Sequence, residues 1–446
     1  MKTIIRNATI VNEGRQFIGS VVIEDEMIQE VLESDDTTQY YDLEIDATGL
    51  YLFPGVIDDH VHFREPGMTH KADIASESRT AAAGGVTSYM EMPNTNPPTT
   101  TLNLLEEKFQ IAARDSRVNY SFYFGATNDN VETLPILDRT RVPGVKVFMG
   151  SSTGNMLVDR TESLYRIFAT SPLLLLAHCE NTGIIEANIR AFKKKYKGQN
   201  DFPVRYHSRI RSVEACYESS ALAVQMAKDT GARLHIAHVS TAKELELFEN
   251  KPIEEKKITA EAVIAHLMFT TEDYDTLGTR IKCNPSVKTP EDRAALREAL
   301  TNGLIDVVAT DHAPHLESEK LGGALRAASG MPMIQFSLVS MLELSENGIL
   351  PIERIPDLMS HNPAKLFHIE KRGFIRPNYK ADLVLIHPNK PWTVNHENIL
   401  SKCQWSPMEG HTFNAKVEKT FVNGHLAYDD GRVDTDYRGA MLTFDR

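Results

Sequence analysis

The stretch Phe53–Gly67 reads FPGVIDDHVHFREPG and combines two histidines, an arginine and three acidic residues. The apolar residues from Val56 to Phe63 favour a strand. Side chains alternate between the two faces of a strand, so His60 and His62 point to the same side and form a pair of metal ligands. The alternative is a pair of hydrogen-bonded histidines at a strand end. A metal site therefore requires further ligands from elsewhere in the chain.

The 446 residues carry a formal net charge of −13, with 41% hydrophobic and 24% charged residues. These proportions are those of a folded soluble protein. The acidic balance argues against nucleic acid and anionic membranes as partners of the general surface. No apolar run reaches the roughly 18 residues of a membrane span, and the N-terminus lacks the apolar core of a signal peptide. We expect a cytoplasmic protein, in which an anionic substrate must be bound by local cations such as Arg64.

The first part of the chain has short alternating β-rich runs, which predict an antiparallel sheet of strands Thr3–Val11, Phe17–Glu24 and Met27–Leu32. From Pro54 the pattern changes to strands followed by helices. Eight strands are predicted in this part, at Val56–His62, Val86–Met92, Asn119–Gly125, Gly144–Met149, Leu173–His178, Arg233–Val239, Lys257–Ala262 and Ile305–Asp311. Helices are predicted between them, including Lys71–Ala83, Leu102–Arg114, Asn181–Lys195, Val213–Asp229, Ala242–Asn250 and Glu291–Asn302.

Eight strand–helix units over about 310 residues are typical of a (β/α)8 TIM barrel in the α/β class. The chain has no GxGxxG or GxxxxGK[ST] loop that would favour a doubly wound sheet. Strand-like segments return after residue 380. We therefore predict a barrel domain at residues 54–370, and a small β-sandwich domain formed from residues 1–53 and 371–446, because both ends of the chain leave a closed barrel close together.

The carboxyl ends of the barrel strands converge on one site. The residues predicted at these ends or facing into the barrel are His60, His62, Asn94, Lys146, His178, His238 and Asp311. Histidines at three strand ends, together with a lysine and a carboxylate, predict a metal site. By strand parity His235 and Cys179 face away from it and are assigned to packing, as is His312.

Lys146 lies between apolar neighbours in the segment GVKVFMG. Burial and nearby metal ions lower the pKa of a lysine, and the neutral amine can take up carbon dioxide. The resulting carbamate is an anionic bidentate ligand that could bridge two metal ions. The alternative is a lysine whose amine reaches solvent.

Together these segments resemble the amidohydrolase superfamily and, within it, the dihydroorotase family, over nearly the whole chain. The segments that carry the resemblance are PGVIDDHVHFREPG at 54–67, GGVTSYMEMPNTNPPTT at 84–100, GVKVFMG at 144–150, LLAHCEN at 175–181, LHIAHVST at 234–241 and VVATDHAPH at 307–315. The HxH and TDHAPH segments indicate the cyclic amidases. The combination of HFREPG, MPNTNPPT and APH is similar to the dihydroorotase pattern.

The resemblance implies two divalent metal ions, with zinc expected and manganese or cobalt as alternatives. Their implied ligands are His60, His62 and Asp311 for one ion, His178 and His238 for the other, and a carbamylated Lys146 shared by both. Asp311 is also the implied general base and acid. The implied substrate-binding residues are Arg64, Asn94, Asn284 and His315.

The activity implied by the resemblance is the reversible hydrolysis of L-dihydroorotate to N-carbamoyl-L-aspartate, the third step of de novo pyrimidine biosynthesis. Allantoinase and the dihydropyrimidinase or hydantoinase group are the nearest alternatives, and a non-catalytic subunit is a remote one. The substrate is a small molecule in each enzymatic alternative. A homodimer is an expectation at the level of the family.

Three features limit the transfer of family roles. Asp159, downstream of the fourth strand, could replace the lysine bridge, as an aspartate does in some bacterial relatives. The segment Asn284–Lys288 reads NPSVK where the family has NPPLR, which leaves Asn284 as a substrate contact. His266 lies in a segment with fewer histidines than the family has, and it receives no catalytic role. The loop His315–Gly330 could close over substrate or be a surface connection.

Overall fold

A computed structural model describes residues 1–33, 39–150 and 156–446. The N-terminal part contains five strands, β1 (Lys2–Asn12), β2 (Arg15–Glu24), β3 (Met27–Leu32), β4 (Leu43–Asp46) and β5 (Tyr51–Pro54). β1 pairs antiparallel with β2 and parallel with β4 and β5, and β2 pairs antiparallel with β3. The three strands predicted here agree with β1 to β3 within two residues at each end.

The next nine strands include all eight that the sequence predicts after Pro54. They are β6 (Val56–Val61), β7 (Val86–Glu91), β8 (Asn119–Phe122), β9 (Phe124–Gly125), β10 (Gly144–Phe148), β11 (Leu174–His178), β12 (Leu234–Ile236), β13 (Ile258–Val263) and β14 (Val307–Ala309). β8 and β9 are two parts of the third predicted strand. β6, β7, β10 and β11 are buried along their whole length, as expected when both faces of a parallel sheet are covered.

These strands pair in parallel and in chain order, as β6-β7-β8 and as β9-β10-β11-β12-β13-β14. Beyond β14, Val61 forms a parallel bridge to His312, and the Thr310 hydroxyl donates a 2.6 Å hydrogen bond to Asp58. The first and last strands of the series are therefore joined. The predicted α/β class is confirmed, and this order of pairing is the one expected of a (β/α)8 barrel.

Twelve α-helices are described. They are α1 (Ile74–Ala83), α2 (Leu102–Asp115), α3 (Thr161–Thr170), α4 (Thr182–Lys195), α5 (His207–Ile210), α6 (Val213–Thr230), α7 (Ile264–Met268), α8 (Tyr274–Leu277), α9 (Pro290–Asn302), α10 (Ser337–Glu346), α11 (Arg354–Pro356) and α12 (Asn362–Phe367). The predicted caps are present on α9, where the Thr289 side chain accepts from an N–H of the first turn and Gly303 follows with a φ of 79°. None of the helices in the described ranges is both long and apolar enough to cross a bilayer.

The helix predicted at Ala242–Asn250 is wrong, because only a 3₁₀ turn forms there, at Lys243–Leu247. The buried Glu244 carboxylate accepts hydrogen bonds from the hydroxyls of Ser220 and Thr241. These side-chain bonds stabilise a tight turn at the start of the segment in place of a regular helix.

Strands from the C-terminal part join those of the N-terminal part. They are β15 (Leu383–His387), β16 (Trp392–Thr393), β17 (Thr412–Phe413), β18 (Lys416–Val422), β19 (His425–Asp429) and β20 (Arg432–Val433). β15 pairs antiparallel with both β5 and β18. The result is one nine-stranded sheet of order β20-β19-β18-β15-β5-β1-β2-β3, with β4 beside β1. The division into domains at residues 53 and 370 stays a prediction.

Candidate metal centre

A cavity of about 370 Å³ brings together all ten residues that the sequence analysis assigned to metal or substrate. They are His60, His62, Arg64, Asn94, Lys146, His178, His238, Asn284, Asp311 and His315. The cavity also has lining residues that the sequence analysis did not assign, namely Met68, Lys71, Phe148, Ala313, Ala328, Ser329 and Gly330. The juxtaposition is an observation, and the chemical roles of the ten residues stay predictions.

The first predicted ligand group is compact. The Asp311 carboxylate lies 3.0 Å from Nε2 of His62 and 3.5 Å from Nε2 of His60. One ligand atom from each of these residues falls within 4.8 Å of the others. Two imidazoles and a carboxylate form a donor set that suits zinc and other divalent ions.

The second predicted group lies directly beside the first. Nδ1 of His178 is 2.9 Å from Nε2 of His238, and the ring centroids of His60 and His238 are 5.2 Å apart. The two pairs of imidazoles therefore belong to a single cluster of four histidines. This arrangement fits a centre for two metal ions.

Lys146 supplies a further donor to this cluster. Its side chain is completely buried, and its Nζ has no hydrogen-bond partner in the part of the chain that the structure describes. Burial lowers the pKa of this amine, because a charged group loses its hydration. An unpaired buried ammonium is costly, so this lysine is suited to neutralisation or covalent modification.

The histidines of the first group are in the form that binds metal. Burial, followed by the charge of Lys146, lowers the pKa of His60 to about 3, and burial lowers that of His62 to about 4. Burial alone would raise the pKa of Asp311, but His60 and His62 keep it well below its usual value. At neutral pH the set therefore presents two neutral imidazoles and one carboxylate.

Three of the four imidazoles lie within hydrogen-bond distance of a side chain outside the predicted ligand set. The pairs are Glu261 Oε1 at 2.9 Å from Nδ1 of His60, Asn94 Oδ1 at 2.8 Å from Nδ1 of His62, and Glu180 Oε2 at 3.0 Å from Nε2 of His178. Glu261 also accepts the backbone N–H of His238 at 2.8 Å. Such partners fix the orientation of a ligating imidazole and the position of its hydrogen.

Neither Glu180 nor Glu261 was predicted from the sequence, although each had a signal. Glu180 lies two residues after His178 in LLAHCEN, the same spacing that made His60 and His62 a pair. Glu261 is the one carboxylate in β13, which reads ITAEAV. An isolated acidic residue in a buried strand needs a polar partner, and here the partner is His60, a predicted metal ligand.

Glu261 also belongs to a second buried cluster, with Asp59 and His235. Nε2 of His235 lies 3.3 Å from Asp59 and 3.9 Å from Glu261, while its Nδ1 is 2.7 Å from the Thr259 hydroxyl. None of these residues lines the cavity. The prediction that His235 faces away from His238 therefore agrees with the structure.

Arg64 lines the cavity and contacts the segment that follows β14. Its Nε donates to the Pro314 carbonyl at 3.0 Å, and its Nη2 is 3.1 Å from Nε2 of His315. The nearby acidic residues Asp59 and Glu65 do not pair with Arg64, because Asp59 contacts His235 and Glu65 accepts the N–H of Ile74. The buried guanidinium thus has no carboxylate partner among the described residues.

Asn284 also lines the cavity, and its Oδ1 is 3.1 Å from Nε2 of His207. His266 and Asp159, whose family roles were in question, do not line the cavity. Nε2 of His266 is 2.9 Å from the Pro285 carbonyl, in agreement with the absence of a catalytic assignment. Asp159 accepts from the amide of Asn128 at 3.0 Å, so Lys146 and not this aspartate lies in the cavity.

Three site residues other than glycine have a positive φ, namely Arg64 at 69°, His238 at 39° and Asp311 at 47°. Side chains rarely adopt this left-handed conformation, and its cost is maintained mainly at functional sites. Each of these residues lies just after a strand, and the positive φ turns the following segment of the chain along the cavity.

The loop His315–Gly330 forms one wall of the cavity through Ala328, Ser329 and Gly330. The amine of Lys320 donates to the carbonyls of Lys282, Ala328 and Gly330 at 3.0, 2.7 and 2.7 Å. The wall is therefore tied to the body of the protein in this conformation. Its action as a lid stays a prediction.

Comparisons with known proteins identify the family of the chain. Residues 51–427 match the model of the Amidohydrolase family. A dihydroorotase from Halobacterium salinarum is 36% identical over 397 residues, covering 88% of this chain and 90% of that protein. An allantoinase from Bacillus velezensis is 31% identical over 394 residues, covering 87% of this chain and 86% of that protein. The solved structure of L-hydantoinase (dihydropyrimidinase) from Arthrobacter aurescens matches 97% of both chains at 27% identity and a TM-score of 0.91. The predicted resemblance is confirmed, and the chain belongs to the amidohydrolase family.

Proposed function

We propose that the chain is a dihydroorotase, which reversibly hydrolyses the ring amide of L-dihydroorotate to N-carbamoyl-L-aspartate in de novo pyrimidine biosynthesis. Its relatives named dihydroorotase, allantoinase and hydantoinase have in common the hydrolysis of cyclic amides. That shared chemistry supports a hydrolase of cyclic amides as the general class. The proposal adds the specific substrate.

The observation that carries the proposal is the buried Arg64 guanidinium, which lines the cavity without a carboxylate partner among the described residues. A buried unpaired charge is unfavourable, so a substrate that brings a carboxylate to this position gains binding energy. Dihydroorotate has a ring carboxylate, whereas allantoin and dihydrouracil do not. Asn94, Asn284 and His315 supply additional polar groups in the same cavity.

Members of this family depend on metal, and the donor set here fits two divalent ions, which we propose to be zinc. His60, His62 and Asp311 would hold one ion, His178 and His238 the other, and Lys146, as a carbamate, would be shared between them. When bound, such ions lower the pKa of water and polarise the carbonyl that is attacked.

The protein's own groups account for binding and proton movement. Arg64 fixes the substrate carboxylate and so positions the ring amide over the histidine cluster. A carboxylate oxygen of Asp311 accepts the proton of the attacking water and delivers it to the ring nitrogen that leaves. The depressed pKa of Asp311 keeps it ionised and ready to act as the base. In the biosynthetic direction the same proton transfers run in reverse.

Allantoinase or dihydropyrimidinase activity is the nearest alternative, but those substrates would leave Arg64 without an anionic partner. A non-catalytic subunit is the remote alternative, and the complete set of ligand-type residues in one cavity argues against it. A homodimer in the cytoplasm stays a prediction.

The experiment that tests the proposal is a side-by-side assay of purified protein, with its metal content measured, on dihydroorotate, allantoin and dihydrouracil. We expect dihydroorotate to be hydrolysed with a kcat/KM at least about 100-fold above the others, since a buried charged contact is worth several kcal/mol. A preference for allantoin or dihydrouracil would contradict the proposal. A protein without metal and without activity would favour the non-catalytic alternative.

A further inference from the structure

A second cavity, of about 730 Å³, lies between α1, the segment before β8 and the C-terminal part of the chain. It has no lining residue in common with the cavity of the candidate metal centre. Three cationic side chains line it, from Arg79, Arg117 and Lys402, and one carboxylate, from Asp73. This local excess of positive charge, which we call the basic cleft, contrasts with the formal net charge of −13 of the whole chain.

The carboxylate of the basic cleft is already paired. Nζ of Lys402 donates to Oδ2 of Asp73 at 2.6 Å and to the Thr69 carbonyl at 2.7 Å. Oδ1 of Asp73 accepts the N–H of Ser76 at 2.7 Å, as the cap of α1. Lys402 and Asp73 therefore neutralise each other, and no carboxylate that lines the cleft is left for the two arginines.

Arg117 is buried, with only 9% of its surface exposed. Its Nη1 donates to the Asp115 carbonyl at 3.0 Å, but its Nε has no hydrogen-bond partner in the part of the chain that the structure describes. The Asp115 carboxylate lies 2.6 Å from Nη2 of Arg114. A guanidinium stays charged in proteins, so Arg117 carries a charge without a carboxylate partner among the described residues.

The other buried arginines make this observation informative. Three arginines are buried among the described residues, namely Arg64, Arg117 and Arg372. Arg372 pairs with the Asp382 carboxylate at 2.5 Å. Arg64 and Arg117 have no such partner, and each lines a cavity. Because a buried unpaired charge is unfavourable, both positions are suited to an anion that arrives from solution.

Arg79 adds a second guanidinium to the cleft. It is an exposed residue of α1 and forms no hydrogen bond or ion pair with any described residue. Burial, followed by the charge of Arg438, lowers the pKa of Arg117. Arg79 acts in the same direction, while Asp115 and Asp436 oppose the shift. The positive charges of Arg79 and Arg117 therefore repel each other, and an anion bound in the cleft relieves that repulsion.

We propose that the basic cleft binds a doubly charged phosphate group between Arg79 and Arg117, either as inorganic phosphate or as the phosphate of a small ester. A guanidinium presents paired N–H donors that match phosphate oxygens. Two unpaired guanidinium charges match a dianion better than a singly charged carboxylate. Leu400 and Val433 supply apolar surface for the organic part of an ester. The inference goes beyond the proposed function and does not depend on it.

The test measures the equilibrium binding of inorganic phosphate, phenyl phosphate and benzoate to the metal-loaded protein, by calorimetry at constant ionic strength. We expect both phosphate compounds to bind with a Kd below about 1 mM. Benzoate has the same ring as phenyl phosphate but one charge, and it should bind at least about tenfold more weakly. Tighter binding of phenyl phosphate than of phosphate would identify an ester as the ligand, and equal affinities would identify free phosphate.

Two variants locate the site. Arg79→Gln and Arg117→Gln should each weaken the binding of phenyl phosphate about tenfold or more, as for loss of a hydrogen bond to a charged group. Arg139→Gln replaces an exposed arginine outside the cleft and is the matched control for loss of a positive charge. Arg79 lies on the exposed face of its helix, so Arg79→Gln still tests the inference if Arg117→Gln fails to fold.

Arg64→Gln separates the basic cleft from the cavity of the metal centre, and it should leave the binding of phenyl phosphate unchanged. Binding that is lost in Arg64→Gln but kept in Arg79→Gln and Arg117→Gln would place the anion in the metal cavity and overturn the inference. Absence of saturable binding of both phosphate compounds, or equal affinity for benzoate, would also overturn it. None of these measurements requires turnover, so a failure to hydrolyse dihydroorotate would refute the proposed function alone.

Discussion

Nδ1 of His62 lies 2.8 Å from Oδ1 of Asn94, so a single amide contacts a proposed metal ligand while it lines the substrate cavity. An imidazole that binds metal through Nε2 carries its hydrogen on Nδ1, and Asn94 must then accept through Oδ1. The amide nitrogen of Asn94 has no hydrogen-bond partner among the described residues, so its two N–H donors are available to a molecule bound in the cavity.

Replacing Asn94 separates these two tasks. In Asn94→Asp an oxygen still accepts from His62, but both donors are lost and a negative charge faces the cavity. We expect full metal content with a KM for dihydroorotate raised more than about tenfold, because a hydrogen bond to a charged group is lost and repulsion is added. Elemental analysis and steady-state kinetics measure the two effects. Asn94→Ala, the matched control, should lose metal affinity as well, and metal loss in Asn94→Asp would contradict the assignment.

Asp311→Ala should keep most of its metal, because the other proposed ligands remain, but it should lose the group that moves the proton. We expect kcat to fall by about 10³-fold, within the range for loss of a general acid–base residue. The control is Asp159→Ala, which removes a carboxylate outside the cavity. Activity near that of the wild type in Asp311→Ala would refute the proposed role.

Lys146→Ala should lower the metal content from two ions to about one per chain, because the shared ligand is removed. Short carboxylic acids such as acetate or propionate should restore part of the metal and the activity, since they can occupy the vacated space and supply the missing oxygen ligands. The same acids added to the wild-type protein serve as the control. Unchanged metal content in Lys146→Ala would count against the carbamate.

The metal-free protein should lose stability as the pH falls from about 6.5 to 4. Burial lowers the pKa of His60 to about 3, of His62 to about 4 and of His207 to about 3, from the ordinary 6.5. Over this interval the unfolded chain binds protons that the folded chain excludes, so each histidine reduces the free energy of unfolding by up to about 1.4 kcal/mol per pH unit.

Urea unfolding of the metal-free protein at several pH values measures this effect. His207→Asn removes one of the three histidines. The free energy of unfolding should then depend less steeply on pH, by up to about 1.4 kcal/mol per pH unit, the contribution of one histidine. A stability that does not change between pH 6.5 and 4 would show that these rings gain protons as easily in the folded state as in the unfolded one.

The parts of the site that could be predicted from the sequence are those with a fixed relation to a strand. His60 and His62 follow from alternation along β6, and His178 and Asp311 follow from their positions at or just after strand ends. His315 was predicted only through the resemblance to a family, and Lys71 was not predicted at all. The two residues are 244 positions apart, and only the folded path of the chain brings them together.

The fold shows the same contrast. Buried parallel strands have a strong apolar signal, and the predicted starts of β6 to β14 agree with the structure within two residues. The segment Ala242–Asn250 has helical spacing, but the side-chain hydrogen bonds of Glu244 stabilise a turn there. Such bonds depend on Ser220, in a different helix, and local periodicity contains no information about them.

The hydrogen bonds between Asp58 and Thr310 have a consequence for assembly. Asp58 is two residues from His60, and Thr310 is adjacent to Asp311, so the contact that joins β6 to the end of β14 also sets the separation of two proposed ligands about 250 positions apart in the chain. A nascent chain that has not yet added β14 carries the HxH pair without its carboxylate. We expect the proposed site to be complete only after β6 has joined the end of β14, so recovery of activity during refolding would report that step.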